Sequence, residues 1–212
     1  MIATLRRMSV FPRNLRPMRL SRRAEPFDSD EFIYELKVDG FRALAHVQDG
    51  RGELISRNGN VFRGFAELAT WIAEHLHVAS AVLDGEIACL DESGRPKFRD
   101  LLLRKRQCVF IAFDLLYLNG KDLRLLPLIE RKLTLKKLLR QKRSRILYLD
   151  HVEADGRLLL FEEVVKMDLE GIVCKRKNSP YKVTDKPSPS WIKIKNPRYS
   201  QADGREELFE RA

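Results

Sequence analysis

From Phe32 to Val47 the side chains alternate between two faces, and only the step Asp39-Gly40 breaks the pattern. Phe32, Tyr34, Leu36 and Val38 fall on one face; Ile33, Glu35, Lys37 and Asp39 fall on the other. Successive side chains of a strand point to opposite faces, so a period of two commits this stretch to β structure and puts Glu35 and Lys37 on one side. Phe41, Ala43, Ala45 and Val47 then alternate with Arg42, Leu44 and His46. An Asp-Gly step between two such runs is a hairpin signal, so the expectation is a pair of adjacent strands.

The rest of the chain repeats this economy of strands and tight turns. Asp49-Gly50-Arg51-Gly52 leads into a strand through Leu54, Ile55 and Ser56, and Asn58-Gly59 marks another turn. Phe65, Leu68, Ala69, Ile72, Ala73 and Leu76 recur at helical spacing, predicting an amphipathic helix over 64–77. Buried strands are expected over 82–90 and 109–116, with a short helix over 98–103 between them. A helix with a basic outer face is expected over 128–139. A further helix over 156–167 should turn Leu159, Leu160, Val164 and Val165 inward. Strands over 172–176 and 191–195 follow, separated by a loop over 177–189 rich in Pro, Ser and Lys. Strands joined mainly by hairpins, with helices interspersed, predict an α+β fold of largely antiparallel sheets flanked by helices.

Charge narrows the function classes. The 212 residues carry a formal net charge of +10, which points to a polyanionic partner, nucleic acid first. Its distribution is uneven. Arg6, Arg7, Arg13, Arg16, Arg19, Arg22 and Arg23 precede the first strand pattern, opposed only by Glu25, and with Pro12 and Pro17 they predict an extended basic arm over 1–25. A second group is Arg104-Lys105-Arg106. A third runs from Arg131 and Lys132 to Arg145, and its bland reading is a solvated helix face. No apolar run reaches the length of a membrane span, and the Arg-rich start lacks the apolar core of a secretory signal. A membrane partner is therefore not expected, and the expected location is the cytoplasm. Cys89, Cys108 and Cys174 stand singly without metal-ligand spacing, which predicts buried free thiols. The four histidines are scattered, and none has ligand spacing.

Lys37 ends its strand beside Asp39-Gly40, with Arg42 just beyond. A lysine is a nucleophile only as the free amine, and burial or nearby cations favour that form. Alone, Lys-x-Asp-Gly is a weak signal. Further along stand Ser56-Arg57-Asn58-Gly59, Asp84-Gly85-Glu86, Phe113-Asp114, Glu170-Gly171-Ile172-Val173-Cys174-Lys175 and Trp191-Ile192-Lys193-Ile194-Lys195. Lys193 and Lys195 share one strand face, opposite Ile192 and Ile194.

This ordered set resembles the adenylation domain of ATP-dependent DNA ligases, within the covalent nucleotidyltransferase superfamily that also holds RNA ligases and capping enzymes. It looks most like the ligase domain of bacterial end-joining ligases, and the likeness covers residues 26–197. The resemblance implies the ATP-grasp-like nucleotidyltransferase fold and a sequence of nucleotidyl transfers. Lys37 would attack the α-phosphate of ATP to form lysyl-AMP. The AMP would pass to a DNA 5′-phosphate, and the 3′-hydroxyl would then seal the nick. Lys193 and Lys195 would contact the α-phosphate, and Lys175 would also face the phosphates. Glu86 and Glu170 would hold Mg2+ (or Mn2+), although a ribose contact for Glu86 stays open. Phe113 would stack on adenine, with Glu35 lining the nucleotide pocket. Arg42 and Arg57 would bind ribose-phosphate or the 5′-phosphate of the nick. Trp191 is read as packing, Asp39 as setting the turn, and Asp84 and Asp114 as turn caps or ligand contacts.

Ligases of this family usually continue into an OB-fold domain. Residues 198–212 read as a polar tail with no such barrel, so two expectations stand. One is a minimal ligase acting on nicked double-stranded DNA through its arginine arm and basic helix. The other is an adenylation module that works with a separate OB-fold or end-joining partner. A third class, a nucleic-acid-binding remnant without catalysis, is disfavoured by the intact set of candidate residues.

Overall fold

A computed structural model describes residues 9–103, 106–140, 144–153 and 157–202. The strands are β1 (Leu20–Arg22), β2 (Phe32–Leu36), β3 (Phe41–Gln48), β4 (Arg51–Ser56), β5 (Ser80–Cys89), β6 (Cys108–Leu118), β7 (Lys121–Asp122), β8 (Ile146–Tyr148), β9 (Gly171–Arg176) and β10 (Ser188–Lys195). The α-helices are α1 (Ala66–His75), α2 (Phe98–Leu102), α3 (Leu128–Leu138) and α4 (Arg157–Lys166). They build two sheets, one ordered β1-β10-β9-β2 and one ordered β4-β3-β5-β6-β7 with β8 on β6. Among the described residues only the β1–β10 and β6–β8 pairs are parallel. The expected α+β class with largely antiparallel sheets is what forms.

The hairpin expected at Asp39-Gly40 does not form. β2 pairs with β9, whereas β3 pairs with β4 and β5, so residues 37–40 cross from one sheet to the other. The reason lies in burial on both faces of β2. Phe32 and Tyr34 pack with Ile172, Cys174, Ile194 and Val164 of α4, while Ile33 packs with Leu44, Val82, Phe113 and Trp191. Gly40 is needed for proximity: a Cβ there would lie 2.2 Å from the carbonyl oxygen of Ile87 on β5.

Three apolar clusters follow from this layout. One lies under α1 and α2 on the six-stranded sheet and one under α4 on the four-stranded sheet. The third, between the sheets, takes Leu15 and Met18 from the segment expected to be an extended arm. That segment also supplies β1, so residues 9–22 are built into the fold.

Other expectations are corrected. Arg131 and Lys132 of α3 point inward and are fully buried, so the helix is not basic on its outer face alone. In α4, Leu159 is exposed and Phe161 packs against the core instead. Cys89 and Cys108, read as free thiols, stand opposite each other on β5 and β6 and form a disulfide; Cys174 is free and buried. Arg104 and Lys105, and Lys142 and Arg143 of the third basic group, lie outside the described residues. Among those described, no helix is long and apolar enough to cross a membrane.

Candidate active site

The crossing between the sheets carries Lys37 to the edge of a cleft of about 300 Å3. Its backbone N–H donates to the Gly171 carbonyl at 2.9 Å, which prolongs the β2–β9 ladder by one step. Its ammonium lies 2.6 Å from Oε2 of Glu170, and Lys195 Nζ lies 3.6 Å from the other carboxylate oxygen. Glu170 is held in turn. The Asn196 N–H donates to its carbonyl at 2.9 Å, and Gly171, at φ 148°, leaves room where a Cβ would meet the Ile194 carbonyl oxygen at 2.2 Å. Asp39 is buried and accepts a bond from the Tyr199 hydroxyl at 2.6 Å. Tyr199 and Asn196 were missed in the sequence, because nothing in a polar stretch after β10 signals a return to the loop that carries Lys37.

Glu35, Lys37, Arg42, Arg57, Glu86, Phe113, Glu170, Lys175 and Lys193 all line this one cleft, and Lys195 reaches it through Glu170. Six segments spread over most of the chain therefore converge. Strand ends and faces place them: Lys193 and Lys195 project from one face of β10, and Glu86 and Phe113 come from the neighbouring strands β5 and β6.

Electrostatics divide the cleft. At its inner end Glu35 is buried, with one carboxylate oxygen on Lys132 and the other 2.5 Å from Lys175. Burial pushes the Glu35 carboxyl up, yet the two lysines prevail and hold it below its usual range. Lys175, also buried, is pushed down to about 8 by burial, against the pull of Glu35. Its ammonium sits 4.0 Å from the ring centres of both Phe113 and Trp191, a cation–π arrangement. Lys132 was read as part of a basic helix face, and its role at Glu35, 97 residues away, carries no local sequence signal.

Arg42 is committed to the protein. It donates two bonds to Asp84, at 2.7 and 3.1 Å, and one to the Met18 carbonyl at 2.9 Å. Tyr181 also donates to Asp84, at 2.6 Å. Asp84 is thus an anchor for Arg42 rather than a turn cap, and Asp114 anchors Arg131 through two bonds of 2.8 Å. Arg57, by contrast, is exposed.

Glu86 is shifted in the opposite direction to Glu35. Burial pushes its carboxyl up to about 8; Lys37 and Arg42 pull against this, and the charges of Glu170 and Asp84 add to it. Lys193 is lowered by burial and by Lys37, Lys195 and Arg57. Among the described residues no group of three or more His, Cys, Asp or Glu forms a cation cage. Glu86 and Glu170 are still two carboxyls lining one cleft, a donor pair that suits a hard cation keeping most of its waters.

Comparison with known proteins identifies the family and the fold. Residues 17–195 match the protein family described as ATP dependent DNA ligase domain. The chain is 34% identical over 170 residues to the multifunctional non-homologous end joining protein LigD of Pseudomonas aeruginosa, covering 78% of this chain and 20% of that protein. It is 32% identical over 193 residues to the SPbeta prophage-derived DNA ligase-like protein LigB of Bacillus subtilis, covering 87% and 68%. The fold superposes on the ligase domain of M. tuberculosis LigD with a TM-score of 0.73 and 30% identity, over 86% of this chain and 60% of that one. A mycobacterial DNA ligase D complexed with ATP and MES gives 0.72 at 30% identity, with the same coverage. The chain spans a fifth of the first of these relatives.

Proposed function

The chain belongs to the ATP-dependent DNA ligase domain family, and from that premise we propose that it is a ligase adenylation module whose nucleophile is Lys37. The observation that carries this is the 2.6 Å approach of Lys37 Nζ to Glu170 in a cleft lined by further lysines. Lys37 attacks the α-phosphorus of ATP. The N–P bond forms, the bond to the bridging oxygen breaks, and pyrophosphate leaves with the electron pair. Glu170 is a base within reach of the proton the amine gives up. Phosphoryl transfer depends mainly on positioning and on charge stabilisation, and Lys193 and Lys195 supply cations for the equatorial oxygens.

Phe113 gives the adenine an apolar wall, and the Glu35–Lys132–Lys175 group forms the polar end of the same compartment. Glu86 and Glu170 would hold Mg2+ or Mn2+, which would supply positive charge at the phosphates. The alternative for Glu86 is a ribose contact instead of the cation, since a carboxyl left neutral by burial can donate to a ribose hydroxyl. With Arg42 tied to Asp84, the exposed Arg57 is the better candidate for the 5′-phosphate of the nick. That phosphate attacks the α-phosphorus of lysyl-AMP, and Lys37 leaves and regains its proton. The 3′-hydroxyl then attacks the 5′-phosphorus and AMP departs. Nicked duplex DNA is the substrate of this reading, which places the enzyme at the nucleoid. A separate OB-fold or end-joining partner assists if the module does not close on DNA alone.

Intact mass after incubation with ATP and Mg2+ tests the proposal, followed by addition of nicked duplexes. A gain of one AMP that is discharged by a 5′-phosphate nick, but not by a 5′-hydroxyl nick, is expected. Discharge only after an OB-fold protein is added would mark the partner-dependent form. No gain under any of these conditions would overturn the reading.

A further inference from the structure

Every third residue from Arg13 to Arg22 is an exposed arginine: Arg13, Arg16, Arg19 and Arg22. Between them Leu15, Pro17 and Met18 are buried. The backbone beneath is anchored to both sheets. Ser9 bonds Gly120 through its N–H at 2.9 Å, and Tyr117 donates to the Ser9 carbonyl at 2.7 Å. Phe11 packs edge-on against His46 and Tyr117. Met18 accepts from Arg42 and receives the Tyr181 hydroxyl oxygen on its N–H at 2.9 Å, and β1 then joins β10. The four guanidiniums therefore project from a fixed support.

Their charge is uncompensated. Some exposed or half-exposed cations elsewhere have carboxylates: Lys136 has Asp150, Lys166 has Glu163, Arg176 has Glu31 and Arg124 has Asp122. Others, such as Arg51, Arg63, Arg95, Arg99 and Lys137, are exposed without an ion pair among the described residues, but they do not follow one another along one anchored segment. Among the described residues none of the four arginines has an ion pair. Arg13 donates to the Gln48 amide oxygen at 2.8 Å and Arg19 to the Asp185 carbonyl at 2.6 Å, both neutral acceptors. The row also leads to the reacting groups. The Arg16 guanidinium lies over Gly59, two residues from Arg57, and residues 17–20 line the cleft that holds Lys37.

We infer that Arg13, Arg16, Arg19 and Arg22 form a track for the sugar–phosphate backbone of the duplex flanking the nick. The inference rests on the ligase reading for its substrate and not for its geometry. One nucleotide fills the cleft, which Arg19 borders, whereas Arg13, Arg16 and Arg22 present guanidiniums without ion pairs outside it from the same anchored segment, which suits successive phosphates. Each phosphate contact releases counterions, so the track contributes to the salt dependence of DNA binding in proportion to its contacts.

The test is binding of nicked duplex to the full chain across a salt series, for wild type, for R13Q/R16Q/R22Q and for K136Q/K137Q/R140Q on α3. Loss of three phosphate contacts lowers the slope of log affinity against log salt by about 2.7. Over a fourfold rise in salt, the wild type then loses roughly forty-fold more affinity than the strap variant. The α3 variant, with the same loss of charge, should keep the wild-type slope. Equal changes in both variants would reduce the effect to net charge and overturn the inference, as would an unchanged slope in the strap variant. Melting temperature and AMP gain on Lys37 are read on the same preparations and should be unchanged in the strap variant. Absence of the AMP gain from wild type would count against the ligase reading alone.

Discussion

Among the described residues Arg13, Arg16, Arg19 and Arg22 face solvent without a carboxylate, whereas Arg131 and Lys132 of α3 are fully buried and paired with Asp114 and Glu35. In the sequence the two stretches look alike, as runs of cations between apolar residues. What separates them is where the acids lie: Asp114 is 17 residues from Arg131, and Glu35 is 97 residues from Lys132. A charge run therefore identifies a polyanion surface only once its carboxylates have been located. Lys132 holds Glu35 at the inner end of the cleft, and the strap cations are left for a partner.

This contrast can be broken most directly by removing a buried cation. Arg131→Met should destabilise the protein by about 3–5 kcal/mol in denaturant unfolding, because it leaves Asp114 charged and buried. A loss below about 1 kcal/mol would mean that α3 is solvated after all. The next effect concerns the support under the strap. His46 is buried against Phe11 and held down to about 4 by burial and by Arg13. A histidine whose folded pKa lies below its unfolded value of 6.5 contributes stability that is present above 6.5 and lost as pH falls towards 4. That loss is at most about 3 kcal/mol, from a shift of roughly 2.5 units. Unfolding measured along this pH range should show it in wild type and not in His46→Gln; parallel curves would contradict the burial. Smaller still, Lys136→Ala should cost about 0.2–1 kcal/mol, since its partner Asp150 is exposed. Arg22→Gln should leave stability within about 0.5 kcal/mol while lowering affinity for nicked duplex, and a larger stability loss would make Arg22 structural.

Much of the site could be read from the sequence because its residues sit on strands, where a period of two fixes which side chains share a face. Lys193 and Lys195 are an example, with Ile194 turned into the core behind them. Proximity between distant segments could not be read in this way. Asp39-Gly40 carries the dipeptide of a hairpin yet crosses between sheets, because Gly40 answers a backbone approach from β5 that no local pattern records. Tyr199, which bonds Asp39, and Lys132, which bonds Glu35, are equally nonlocal. Leu159 fits a helical stripe by spacing but falls outside the packed face, which Phe161 fills.

The central claim is that Lys37, alone among the lysines of the cleft, becomes covalently adenylated. Peptide mapping by tandem mass spectrometry after incubation with ATP and Mg2+ addresses it directly. The account predicts AMP on Lys37, removed by added pyrophosphate and absent from Lys37→Ala. AMP on Lys175, Lys193 or Lys195, or retention of the full AMP gain in Lys37→Ala, would contradict it.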